Sequence, residues 1–159
     1  MNILIINKNN IIPVFKYGGT QRDIWAEGKE LAKMNHKVYY LVKKGSTCPF
    51  GTIIPYNPQK SIDEQIPDNI DIIHVHGPLK ETIRKKFICT IHGNGKPDEI
   101  FDVNTVFVSK NHAQRHGSNR YVYNGLDFDL LGKPDLNAKR EDLLFLAKAS
   151  RKIKNLKGS

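Results

Sequence analysis

Apolar residues fall along the chain in short blocks separated by longer amphipathic or polar stretches. Residues 2–7, apolar throughout from Ile3 to Ile6 and followed by turn formers, read as a parallel strand covered on both faces. From 20 to 34 the period changes. Ile24, Gly28, Leu31 and Ala32 recur at helical spacing, with Glu27, Lys29, Glu30 and Lys33 on the other side, which predicts a helix ending near Asn35-His36. Strands are expected at 37–42, 51–55, 70–76, 87–91 and 105–108. A short helix is expected at 78–85, a second from an N-cap at Ser109 to His116, and a last strand at 120–123 before the turn Asn124-Gly125. Glycine, proline, asparagine and serine mark loops over 45–61, and the register of the whole segment 43–69 is left open.

Strands alternating with helices at this spacing predict an α/β fold with a doubly wound, Rossmann-like parallel sheet. Ligands of such sheets bind where the carboxyl ends of strands lead into helices. The loop at Gly18-Gly19, the turn at His76-Gly77-Pro78 and the turn at His92-Gly93-Asn94 are therefore expected along one edge. Tyr17-Gly18-Gly19-Thr20-Gln21-Arg22 reads as a loop opening a helix. Paired glycines tolerate positive φ and close approach of a ligand, and the free amides of the helix start favour a phosphate or carboxylate. Thr20 suits the N-cap and Asp23 the first turn. The plain alternative is a tight connection.

The 159 residues suffice for one domain with a sizeable core. No apolar run approaches a membrane span and no signal-peptide order opens the chain, so a cytoplasmic location is expected, with contact at the inner face of the membrane left open. Cys48 and Cys89 have no metal spacing and read as reduced thiols, Cys89 as a small core residue. The net charge of +9 is weighted toward the end, where Lys139, Arg140, Lys148, Arg151, Lys152, Lys154 and Lys157 face only Glu141 and Asp142. That excess suits an anionic partner or a solvated tail. Interleaved aromatics and reader motifs are missing, so no nucleic-acid partner is expected.

His74 and His76 lie two apart on a strand and so share one face. A metal pair is conceivable, but no third ligand follows at a recognisable spacing, and no metal is expected. His112 and His116, on a polar helix, read as surface residues. His92 closes a strand before a glycine-rich turn and is either a polar cap or a ligand contact. Ser109 lacks a nucleophile elbow. Neither a P-loop nor Gly-x-Gly-x-x-Gly follows the first strand.

Tyr17-Gly18-Gly19-Thr20-Gln21-Arg22, the helix after it and Asn35-His36-Lys37-Val38 resemble the opening of retaining glycosyltransferases of family 4 (group 1), of GT-B architecture, with Asn35 in place of a glycine. The resemblance continues through Asp71-Ile72-Ile73-His74-Val75-His76-Gly77, Thr90-Ile91-His92-Gly93, Val106-Phe107-Val108-Ser109-Lys110 and Val122-Tyr123-Asn124-Gly125-Leu126-Asp127. It implies that the loop at Gly18 and Gly19, flanked by Tyr17, Thr20 and Arg22, approaches donor phosphates and acceptor. It also implies that His92, with Asn94 beside it, contacts the donor sugar, and that Asn124 to Asp127 lead to a hinge.

Residues 143–146 resemble the first strand of a second domain, and Lys148 with Lys157-Gly158 the basic pair that holds the diphosphate. Lys148 stands for the usual arginine, Ala147 for the usual glycine, and the interval to Lys157 is long. The glutamate-rich donor motif of that domain is absent from the 159 residues. The resemblance thus implies an acceptor-side domain at 1–141 and the start of a donor domain at 142–159. The expected activity is sugar transfer from a nucleotide-diphosphate donor, as co-substrate and without other cofactor, to a glycan or related hydroxyl with retention, and little activity without the donor domain. The alternative is a standalone α/β module that binds a phosphorylated or nucleotide ligand without catalysis.

Overall fold

A computed structural model describes residues 1–14, 18–96 and 98–130, together with 133, 135, 137 and 139. Tyr17, Lys148, Lys157 and the expected strand at 143–146 lie outside the described residues. The chain divides into two compact units, Met1–Asp127 and Phe128–Ser159. In the second, the described structure is a 3₁₀ turn at Phe128–Leu130.

The first unit carries strands β1 (Asn2–Asn7), β2 (Lys37–Val42), β3 (Thr52–Pro55), β4 (Ile72–His76), β5 (Phe87–Ile91) and β6 (Thr105–Phe107), with helices α1 (Gly19–Lys33) and α2 (Lys110–Arg115). They form one six-stranded sheet in the order β3-β2-β1-β4-β5-β6, every neighbouring pair parallel. This is the doubly wound, Rossmann-like arrangement. The order reverses between β1 and β4, which opens a crevice at their carboxyl ends.

The pleat sorts the core onto two faces. Leu4, Ile6, Leu41, Ile73, Val75, Cys89, Ile91 and Phe107 point to one side, closed by Ile62, Ile66, Ile70 and Ile83 from the loops and Ala113 from α2. Ile5, Val38, Tyr40 and Val42 point to the other, under Ile12 and Ile24 with Leu31 and Ala32 of α1 packed alongside. Gly28 is what lets α1 lie so low. A Cβ there would stand 1.8 Å from the Tyr40 hydroxyl and 2.6 Å from Cζ. That buried hydroxyl donates to the Ile24 carbonyl at 3.3 Å.

The exit of α1 accounts for Asn35. It has φ of 64°, and the amides of Asn35 and His36 bond back to the carbonyls of Ala32 and Leu31 at 3.0 and 3.1 Å. This is a Schellman end, whose left-handed position takes glycine most readily and asparagine next. Asparagine therefore serves where the resemblance leads one to expect glycine.

Four expectations are corrected. Residues 78–85 form no helix: Ile83 is buried, Glu81 accepts from the Ile62 amide at 2.9 Å and pairs with Lys8 at 3.0 Å, and Arg84 bonds Asp63. Neighbouring loops satisfy the polar groups of this segment, and a helix would point them elsewhere. The strand at 120–123 shrinks to a single bridge, Tyr121 to Phe107. His112 is buried, and His116 stacks on Phe107 at 5.3 Å, because this short helix turns its i, i+4 pair onto the edge of β6. At the start of α1 the N-cap is Gly18, without a side-chain bond, so Thr20 sits inside the first turn and Asp23 beyond it.

Gly28→Ala should lower stability by about 1–3 kcal/mol through overpacking against Tyr40, as measured by urea denaturation. Tyr40→Phe in the same chain should recover part of the loss. Full stability of the single variant would show that α1 does not depend on this contact.

Candidate functional site

The face of the sheet under α1 is apolar on one half and polar on the other. On β1 and β2 it shows Ile5, Val38, Tyr40 and Val42; on β4 and β5 the same pleat row shows His74, His76 and Thr90, and His92 follows at the strand end. The helix matches this division. Ile24 and Gly28 rest on the apolar half, while Asp23 and Glu27, four residues apart on one stripe, reach the polar half.

Glu27 is the hub. One carboxylate oxygen meets His74 Nδ1 at 2.5 Å and the other His76 Nε2 at 2.9 Å. His74 Nε2 is 2.7 Å from the Thr90 hydroxyl. His76 Nδ1 is 2.9 Å from His92 Nε2, and His92 Nδ1 faces Asp23 at 3.6 Å. Burial works to raise the Glu27 carboxyl, but the hydrogen bonds from the two imidazoles outweigh it and bring the group down to about 2. Burial pushes His76 below the ordinary imidazole value, against the pull of Glu27. His92 falls to about 4, through burial and then the neighbouring His76 and His74. Asp23 is raised by burial and by the charge of Glu27. Near neutral pH the assembly sets an ionised carboxylate against the uncharged rings of His76 and His92.

Glu27, His74 and His76 also offer three ligand atoms within 4.8 Å of one another, a composition that could take a metal ion. The third group absent from the local spacing comes from α1, far upstream in the chain. In this arrangement both carboxylate oxygens are engaged by ring nitrogens, so an ion would have to displace two protons.

Above the network a cavity of about 420 Å³ opens at the carboxyl ends of β1, β4 and β5. Thr20, Gln21, His76, His92 and Asn94 line it. One wall is a carboxamide chain: Gln21 Nε2 donates to Asn10 Oδ1 at 2.8 Å, and Asn10 Nδ2 to Asn7 Oδ1 at 2.6 Å. Gly18 is buried beside it, where a Cβ would stand 2.7 Å from Gln21 Oε1. Among the described glycines the left-handed region of φ belongs to Gly45, Gly77 and Gly117, not to Gly18 or Gly19. The value of Gly18 is thus room for Gln21. Gly19 is exposed and its missing side chain would meet nothing within 4 Å. Arg22 is an exposed residue of α1 outside the cavity lining, and Asn94 accepts from Arg115 at 2.9 Å. A larger hollow, about 820 Å³, runs along the β6 edge past Phe101, Thr105, His116 and Arg120. It shares Glu99 and Phe101 with the cleft, but His76 and His92 do not line it.

Asp23, Glu27 and Gln21 are the site residues that sequence reasoning passed over. A usable signal was present: two histidines on one face of a covered strand require polar partners from the helix above them.

Acid should weaken the fold in two overlapping windows. His92 titrates near 4 when folded against an ordinary 6.5, so between those values only the unfolded chain takes up its proton, and stability falls as pH drops from 6.5 toward 4. Glu27 titrates near 2 against 4.5, so its contribution is complete above 4.5 and is lost as pH falls toward 2. Urea midpoints measured from pH 7 to pH 3 should decline throughout. Glu27→Gln should be weaker at pH 7 by about 1–3 kcal/mol and decline less below pH 4.5. A parallel decline of the two proteins would remove Glu27 from this role.

Comparison with known proteins places the fold. No protein-family model matches the chain, and no curated protein matches it. Among solved structures it is similar to that of AviGT4, described as a glycosyltransferase involved in avilamycin A biosynthesis, with a TM-score of 0.58 and 19% sequence identity. The match covers 79% of this chain and 42% of that one, so the chain spans less than half the length of the structure it resembles. At this identity the likeness concerns the fold alone. No helix among the described residues is long and apolar enough to cross a membrane.

Proposed function

We propose that this chain forms the acceptor-side half of a glycosyltransferase that moves a sugar from a nucleotide-diphosphate donor to a hydroxyl of a glycan or related acceptor, with retention at the anomeric carbon. The supporting observation is the cleft at the crevice between β1 and β4, with Thr20 on one side and His92 on the other, on a fold similar to that of a glycosyltransferase. Amides at the start of α1 and the hydroxyl of Thr20 suit donor oxygens, with the dipole of a 15-residue helix behind them. His92, uncharged near neutral pH, suits a sugar hydroxyl.

In this reading residues 1–141 make one wall of the active site, and a second domain, begun by 142–159 with Lys148 and Lys157 near the diphosphate, makes the other. The 159 residues alone then carry little transferase activity. Peripheral contact with an anionic membrane surface is part of the same proposal, resting on the basic excess at the end of the sequence.

A panel of nucleotide-diphosphate sugars offered with glycan acceptors tests the reading. Transfer should appear with a longer chain that adds a donor-binding domain and be near background with these 159 residues. Gly18→Ala, whose Cβ would clash with the Gln21 carboxamide that holds Asn10, should reduce kcat/KM in the longer chain by roughly tenfold. Robust turnover by the 159 residues would refute the half-site. Saturable binding of a free nucleotide without transfer in either form would instead favour a binding module.

A further inference from the structure

The protons of the imidazole network can be placed by elimination. Glu27 is ionised, so each ring nitrogen facing it must carry a proton: His74 at Nδ1 and His76 at Nε2. The other nitrogen of His74, Nε2, is engaged by the Thr90 hydroxyl at 2.7 Å. His76 is the most enclosed ring, its side chain only 4% exposed. Uncharged and already protonated at Nε2, it has a bare Nδ1. That nitrogen lies 2.9 Å from His92 Nε2, which must therefore donate. The steps converge on Glu27: His92 to His76 to one oxygen, and His74 to the other.

One atom is left over. His92 Nδ1 is enclosed and without a hydrogen-bond partner, and the Asp23 oxygen that faces it stands beyond bonding distance at 3.6 Å. An enclosed acceptor without a partner is costly and calls for a reason. His92 also lines the cleft, so a ligand seated there can supply the missing donor once it opens a path to this enclosed atom.

We propose that Glu27, acting through His76, holds His92 as its Nε2–H tautomer. The one ring atom left for a ligand, Nδ1, can then only accept a hydrogen bond, and it selects a hydroxyl over a phosphate or carboxylate oxygen at that point. Glu27 and His76 are positioning residues. Asp23 strengthens the selection, since a ligand oxygen without a proton would meet two acceptors side by side. The assignment of a sugar to this ligand rests on the function proposed above; the tautomer does not.

Nitrogen-15 NMR of the histidine rings at neutral pH reads the tautomer directly. In the unaltered protein His92 should show a protonated Nε2 and a bare Nδ1, with His76 the same. Glu27→Gln and His76→Phe should shift His92 toward a mixture of tautomers. His76→Gln should preserve the original form, because its carboxamide can accept from His92 and donate to Glu27 at once. In a chain that transfers sugar, the first two variants should lose roughly tenfold to a hundredfold in kcat/KM, as when the orienting partner of a functional imidazole is removed, and His76→Gln should lose much less. A His92 protonated at Nδ1 in the unaltered protein overturns the proposal. So does a tautomer indifferent to Glu27→Gln, or a His76 stripped of its Nε2 proton by a bound metal. If the tautomers are as stated and no nucleotide sugar supports transfer in a longer chain, the functional reading fails and the relay stands.

Discussion

The distance between α1 and the sheet is the constraint on which the rest depends. Gly28 lets the helix settle onto Tyr40, and the Tyr40 hydroxyl holds the Ile24 carbonyl there. One residue earlier in the helix, the same approach carries Glu27 into the reach of both His74 and His76. A helix held further out would leave the imidazoles buried without an acceptor. A glycine on one stripe and a carboxylate on the next are thus two parts of a single fit, one steric and one electrostatic.

Such an arrangement is costly as a way to join helix to sheet. Apolar side chains at 74 and 76, facing an apolar residue at 27, would bury the same area without desolvating a carboxylate and three imidazoles. What the polar version supplies is direction: each donor has one acceptor, so the rings cannot turn and their protons cannot redistribute freely. The directed pattern ends at the cleft, on the residue nearest the crevice where ligands of this fold bind. The larger hollow at the β6 edge has volume without this convergence of fixed polar groups, and volume alone marks no chemistry.

The parts legible in the sequence were those set by local period. Continuous apolar runs gave all six strands to within two residues at either end, and the alternation of strands and helices gave the parallel sheet. The two-residue period put His74 and His76 on one face. Where tertiary contacts decide, the sequence was silent or misleading. Leu79 and Ile83 sit four apart as in a helix, yet Glu81, Arg84 and Lys85 bond to the 61–70 loop, and the chain follows those partners. His112 and His116 look polar on a short helix, but both pack on Phe107, and His116 on Phe101 as well. Glu27 groups with Lys29 and Glu30 because helical spacing assigns charge to the water side, and spacing within the helix does not say that the strand of His74 and His76 lies beneath it.

The paired glycines show the same limit from another side. Sequence suggests that both are present for their backbone freedom, but neither uses a left-handed conformation. Gly18 is small because Gln21 folds back over it to hold Asn10, which holds Asn7 at the end of β1. The loop is therefore tied to the strand end by a carboxamide chain, as the opposite wall is tied to the helix by imidazoles. A ligand entering between them meets two surfaces whose donors and acceptors were fixed by folding, so little ordering is left for binding to supply. Prior ordering of that kind is what a half-site needs if its other wall belongs to a second domain, because the closing domain can align a reacting group only against a surface that does not yield.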